Sequence, residues 1–385
     1  MQSQNWFLSR IIAVAMVTVL VVSFTSLAVA QISAEREAAF ASAPKIPTSV
    51  AGVYAFTAPP KGFNPLTASN SELWQYGLPE RPDKAVDPKH YAVWERAMLA
   101  LKTSANDVKA STIVHGPMKP AGAVPEGISN VPTSATSYNW SGIANTNKLK
   151  AWNKKTSFDV VYSVWNVPNG RPPFSYSCSQ GPEWIVSTWN GIDGWNNNDV
   201  IQGGTNSGYS CSTGYFYTGW VEWYPSYPEL VIVCGSSACP VYAGDDFYAI
   251  TYGVAGTATQ SVFVEDITTQ WHITASLTWV SGPGVVGSSA EYINERPCCV
   301  TVNKVSYLYP LANYVFDFFD YSYAYDVYGT LFYPGATTAA TYNISMLADN
   351  GTTISTVEAG TAGFQGRYSL WFADEGCANS GGCAY

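Results

Sequence analysis

Two carboxylates stand close together in SSAEYINERPCC, residues 288–299: Glu291 and Glu295 lie on a run whose aromatic and apolar positions read as a β-strand. A third, Glu222, lies in WVEWYP (220–225), where strand alternation puts Trp220, Glu222 and Tyr224 on one face and Val221 with Trp223 on the other. A carboxylate between two rings is either the floor of a substrate groove or a solvated face covered by large side chains. Sugars and peptide side chains pack on such rings equally well. Carboxylates so placed can exchange protons with a bound water, singly as general acid and base or in pairs as glycosidases use them.

Other chemistries lack their residues. The chain has three histidines, and only His272 lies beyond the front third, in a strand-like run with no nucleophile elbow near any serine. It reads as a satisfied strand histidine. There is no HExxH, no P-loop and no GxGxxG opening a helix, and no pair of Asp-Thr/Ser-Gly loops. No CxxC pair with partner histidines suggests zinc, so neither metal nor cofactor is expected.

The elements that must hold these residues divide the chain of 385 residues. Residues 1–30 read as a signal peptide, with Arg10, an apolar run from Ile11 and small residues at Ala28 and Ala30; a membrane anchor is the alternative. Residues 31–130 carry ten Lys and Arg against nine Asp and Glu, a balance of +1, whereas residues 131–385 carry eight against nineteen, −11. The acidity therefore belongs to the second part and argues against nucleic-acid partners. The first part holds the helix-like sequence, notably DPKHYAVWERAMLALK (87–102), followed by a Pro- and Gly-rich stretch. It reads as a removable pro-segment with linker over 31–134, or else as a small N-terminal domain. From Tyr138 onward, short runs rich in Tyr, Trp, Val and Thr predict an antiparallel sandwich or barrel over 135–385.

Secretion makes disulfides the default for the eight cysteines, with Cys234/Cys239 and Cys377/Cys383 spaced to staple local loops. Sequons at Asn139, Asn343 and Asn350 allow glycosylation. With few cations to repel one another once carboxylates are protonated, the second part suits an extracellular protein working in acid.

The order YNWSG, WNGIDG, IQGG, WVEWYP, AGDDFYAITY, AEYINE and YPLANY, over most of 138–365, resembles the glutamic peptidases, the eqolisins. GFNPLTASNSELWQYGLPERPD resembles the stretch that many longer members carry ahead of the catalytic part. The resemblance implies an all-β, lectin-like sandwich of two large bent antiparallel sheets behind a partly helical pro-segment. It implies Glu291 and Gln202 as the catalytic pair and Trp189, Trp220, Glu222 and Tyr224 as groove residues. Three positions depart from the family pattern: Gly203 where Thr is common, Tyr292 where Trp is usual, and Thr218 at a place often acidic.

The expected protein is a secreted, monomeric acid endopeptidase acting on polypeptides, with no membrane partner after signal cleavage. Its own pro-segment is the expected inhibitor, held across the groove by cations such as Lys84, Lys89 and Arg96 and released by acid. The rivals are a non-catalytic polysaccharide-binding sandwich that uses Trp220 and Tyr224 as stacking platforms, and a glycosidase on the same scaffold.

Overall fold

A computed structural model describes residues 32–123, 133–146, 157–173, 176–178, 183–195, 197–302, 304–334, 340–359 and 369–373. The signal-peptide reading and the Cys377/Cys383 pairing lie outside these residues. Three helices stand in the front part: α1 over 32–42, α2 at Asn70–Trp74 and α3 at Pro88–Ala100. The principal strands are β1 (Val53–Phe56), β2 (Asp107–Ala110), β3 (Trp140–Thr146), β4 (Phe158–Asn166), β5 (Glu183–Ile192), β6 (Val200–Ser210), β7 (Gly214–Tyr224) and β8 (Leu230–Cys234). They continue with β9 (Asp246–Tyr252), β10 (Thr259–Asp266), β11 (Trp271–Thr278), β12 (Ser289–Glu295), β13 (Phe316–Asp326), β14 (Ala340–Leu347), β15 (Thr353–Ala359) and β16 (Ser369–Ala373).

These strands build two large antiparallel sheets. The first runs β1–β11–β10–β9–β4–β13. The second runs β14–β3–β12–β5–β6–β7–β8–β2. The β15–β16 pair bridges β13 to β14, so the hydrogen-bonded ladder folds back on itself. Between the sheets lie Val161, Trp165, Val186, Ile201, Val221, Trp223, Phe247, Val262, Val264 and Tyr292, all buried. Burial of this apolar area, at about 25 cal/mol per Å², is the main force holding the layers together.

The Gly203 departure belongs to this core. A Cβ there would lie 2.6 Å from Val262 Cγ1 and 3.0 Å from Val264 Cγ1 of the facing sheet. Glycine thus permits the sheets to approach, and the position points away from the face that carries Gln202. Tyr292 likewise faces the inter-sheet core, with Phe319 edge-on at 6.4 Å. Neither change reaches the groove directly.

The front part is no separate domain. It gives β1 to the edge of the first sheet and β2 to the edge of the second. Its helices cover the outer face of the first sheet, where Leu73, Trp74, Trp94 and Met98 pack with Tyr162, Tyr248, Tyr252, Phe263 and Tyr323. Helix α2 opens on a capping box of Ser69 and Glu72, and α3 on an Asp87 cap with Pro88 in its first turn. Arg36 is buried beneath them, 3.3 Å from Glu80 and 3.2 Å from Asp159 of β4.

Three disulfides join Cys178 to Cys211, Cys234 to Cys239 and Cys298 to Cys299. The sequon reading fails at Asn139, which is 1% exposed and bonded through its side chain to Lys119, Pro117 and Glu295. A glycan has no room there.

Candidate active site

Register decides which residues meet. Glu291 of β12 lies opposite Gly191 of β5, Gly191 opposite Gln202 of β6, and Gln202 opposite Glu222 of β7. One row across four strands therefore reads Glu291, Gly191, Gln202, Glu222, on the outer face of the second sheet. Residues paired in this way share a face, and with strands about 4.8 Å apart the backbones of Glu291 and Gln202 are separated by roughly 10 Å. What fills that gap is a glycine. A Cβ at Gly191 would lie 3.1 Å from Gln202 Cβ and 3.0 Å from Trp189 Cζ3, so only glycine leaves open the space between the carboxyl and the amide.

The next row reads Ile293, Trp189, Gly204 and Trp220, and the one beyond it Glu295, Ser187, Asn206 and Thr218. Gly204 keeps a hollow between rings, since a Cβ there would meet Trp189 Cβ at 2.6 Å and Trp220 Cζ2 at 2.8 Å. All the residues expected at the site thus share one face, with Tyr224 half-buried at its rim. Before β12, the Asp193 carboxylate accepts hydrogen bonds from the backbone of Val286, Gly287 and Ser288 at 2.7–3.0 Å. Asp193 takes a left-handed φ of 72° to do so, and its bonds fix the approach to the strand that bears Glu291.

This face is not open. Residues 111–121 cross it as a strap, bonded to Glu229, Cys298, Gly194, Asn139 and Thr136. At its centre His115 is fully buried. Its imidazole stacks on Trp220 with centroids 3.9 Å apart and planes 7° from parallel. Its Nε2 lies 2.9 Å from Glu229 Oε2 and its Nδ1 lies 3.4 Å from Glu295 Oε2. The His115 backbone N–H donates to the Glu222 carboxylate at 3.0 and 3.2 Å, and its carbonyl accepts from Gln202 Nε2 at 2.7 Å. The surrounding acids are themselves held: Glu229 accepts from Asn206 Nδ2 at 2.5 Å, and Glu295 from Trp189 Nε1 at 2.9 Å.

Electrostatics follow from this packing. Burial opposes a charge on His115, but the hydrogen bond to Glu229 and the close carboxylates of Glu295 and Glu222 prevail and push it up to about 10. The strap thus carries an imidazolium. Burial drives Glu222 well above the usual carboxylate range, against the pull of His115. Glu291 is likewise pushed far up by burial, with the Ser289 hydroxyl pulling the other way and the Asp193 carboxylate adding to the rise, and neither of its oxygens has a partner in full hydrogen-bond geometry among the described residues. Under the strap burial favours the neutral form of Glu291, whereas proton abstraction requires the ionised one. Gln202 Oε1 and Trp220 Nε1 are also without partners among the described residues.

Several sequence expectations change. The cations assigned to the groove lie elsewhere: Arg96 pairs with Asp246 at 2.8 Å and Lys84 sits over the Tyr91 ring at 4.6 Å, both with the helices on the first sheet, and Lys89 is on α3. His115 holds the groove instead. Trp220 is no exposed stacking platform, being 0% exposed beneath His115. His272 is buried with Nδ1 unpartnered among the described residues and is held down at about 4 by burial, so it is not satisfied as expected. Sequence reasoning gave no role to His115 or Glu229, and took Glu295 only as a carboxylate that could work beside Glu291. Only Glu295 left a signal, four residues along the strand from Glu291 and hence on the same face. Among the described residues no group of three or more His, Cys, Asp or Glu could hold a metal ion.

Residues 138–365 match the Peptidase A4 family. Among solved structures the chain is similar to scytalido-glutamic peptidase with a transition state analog inhibitor, at 18% identity and a TM-score of 0.47 over 61% of this chain and 98% of that one. It is also similar to SCP-B, a member of the eqolisin family, in a complex with the tripeptide Ala-Ile-His (17%, 0.43, 62% and 98%). A third similar structure is aspergilloglutamic peptidase from Aspergillus niger (19%, 0.39, 49% and 99%). No curated protein matches.

Proposed function

The chain belongs to the Peptidase A4 family, the glutamic-type peptidases, and from that premise we propose that it is a secreted endopeptidase acting in acid through Glu291 and Gln202. Its substrates are polypeptides. The observation that carries the residue assignment is the row in which Gly191 alone separates Glu291 from Gln202. A water seated over Gly191 is within reach of both side chains. Ionised Glu291 takes a proton from that water as it attacks the scissile carbonyl, then hands the proton to the leaving amine. Gln202 orients the water through Oε1 and donates from Nε2 to the carbonyl oxygen as negative charge builds there. Being an amide, it cannot compete with Glu291 for a proton as a second carboxylate would. Trp189, Trp220, Glu222 and Tyr224 line the groove.

The front part, 31–134, is the pro-segment, and its strap is the inhibitor. The strap occupies the substrate's place, engages the Gln202 amide and keeps water from Glu291, whose burial disfavours its charge. Cutting the chain after the strap then lets the groove hydrate and Glu291 ionise. Secretion is supported by the reading of residues 1–30, and acid action by the scarcity of basic residues after 130.

The test is digestion of a denatured protein by the full-length chain between pH 3 and pH 7, with pepstatin present. Degradation in acid, preceded by a cut between residues 121 and 135, is expected. An intact substrate at every pH would refute the proposal.

A further inference from the structure

The strap does more than block the groove: it displays how a peptide is read there. Three contacts fix a single residue, His115. Its N–H is held by Glu222, its carbonyl by Gln202 Nε2, and its side chain enters a closed pocket of Trp220, Glu229 and Glu295. If Gln202 grips the carbonyl that water attacks, the residue whose carbonyl it grips is the one that precedes the scissile bond.

We propose that the pocket formed by Trp220, Glu222, Glu229 and Glu295 is the subsite for that preceding residue, and that it selects a flat cationic side chain, imidazolium or guanidinium. This assignment rests on the peptidase reading above. The pocket is built for its occupant on every side. Trp220 offers a ring face on which a planar cation stacks. Asn206 and Trp189 fix the Glu229 and Glu295 carboxylates, so these do not have to be ordered when a substrate arrives. Gly204 provides depth, since any side chain there would run into the Trp189 and Trp220 positions. An apolar occupant would leave carboxylates buried without a partner, and an acidic one would add a like charge.

The experiment uses the acid-activated protein and a series of quenched fluorescent peptides identical except at one position, carrying His, Arg, Lys, Leu, Phe or Asp, with the cut located by mass spectrometry. Making or losing a charge-assisted hydrogen bond in such a pocket corresponds to a change of about tenfold to a hundredfold in kcat/KM. Cleavage after His and Arg is expected to exceed cleavage after Leu by that factor, with Asp slowest. In Glu229→Gln and Glu295→Gln proteins the His-to-Leu ratio is expected to collapse to within a few-fold. Leu or Phe peptides cut as fast as the His peptide would overturn the assignment while leaving the peptidase reading intact. If every peptide and a denatured protein stay whole, the peptidase reading falls and the assignment falls with it.

Discussion

The outer faces of the two sheets are both covered by the same front segment, and by opposite means. On the first sheet the cover is apolar: Leu73, Trp94 and Met98 close over Tyr162, Tyr248 and Tyr323. On the second sheet the cover is a charge set among charges, His115 between Glu229 and Glu295, above a Glu291 and a Gln202 that still have unsatisfied oxygens. The first face is sealed chiefly by area removed from water, over the buried Arg36 pairs with Glu80 and Asp159. The second is sealed by protonation states and by hydrogen bonds that another peptide could make equally well. On the proposed function it is the second cover that leaves.

Breaking the apolar cover is expected to have the largest effect on stability. Trp94→Ala removes a fully buried ring and is predicted to cost about 3–5 kcal/mol of unfolding free energy, read from denaturant midpoints. The preference of any surviving activity among peptides is expected to stay the same. Next comes Gln202→Ala, beneath the charged cover. It removes the donor to the carbonyl and is predicted to lower kcat of the activated protein about 10²–10³-fold without lowering its melting temperature. His115→Ala strikes that cover itself. Leaving its acids uncompensated loosens the strap, and peptide hydrolysis by the uncut chain at pH 6 is predicted to rise about tenfold. A variant as silent as the parent would mean that the backbone contacts alone hold the strap.

How much of this contrast could be read from the sequence depended on how local its cause was. Strand runs, the WVEWYP alternation and the carboxyls of AEYINE follow from a period of two, so the sandwich and the shared face of Trp220, Glu222 and Tyr224 were legible. Helix α3 was legible too, because Asp87, Pro88 and the spacing of Tyr91, Trp94 and Met98 specify it within a few turns. The strap was not. Nothing near His115 marks it: its acids come from residues 107, 114 and 180 positions further along the chain, and only the docking of β2 beside β8 brings it over them. The meaning of Gly191 was hidden for the same reason, since a glycine in WNGIDG gains its role only from its register with Glu291 and Gln202.

The smallest predicted effect is a tilt of overall stability with pH. Burial raises Asp317 from 3.8 to about 6, and Asp199 and Asp266 to about 7. A folded carboxyl that binds its proton more tightly than the unfolded one contributes stability in acid, lost as pH rises from about 4 through the folded values. Each tenfold gain in proton affinity is worth at most roughly 1.4 kcal/mol, and less where water reaches the group. His115 adds stability below its ordinary 6.5 that fades as pH climbs towards 10. Glu80, held below its ordinary value despite burial by Arg36 and Tyr162, runs the other way, as do His90 and His272, which burial holds down at about 4. Melting temperatures of the uncut chain are therefore expected to be higher at pH 4.5 than at pH 8. Higher values at pH 8 would show that pairs of the Arg36–Glu80 kind dominate.

The most direct test of the central claim is the activity of a Glu291→Gln protein freed of its strap by cutting the chain with an added protease. If Glu291 moves the proton, kcat falls by about 10²–10⁴-fold while the melting temperature is kept. Activity within a few-fold of the parent would contradict the assignment of Glu291 as the catalytic base.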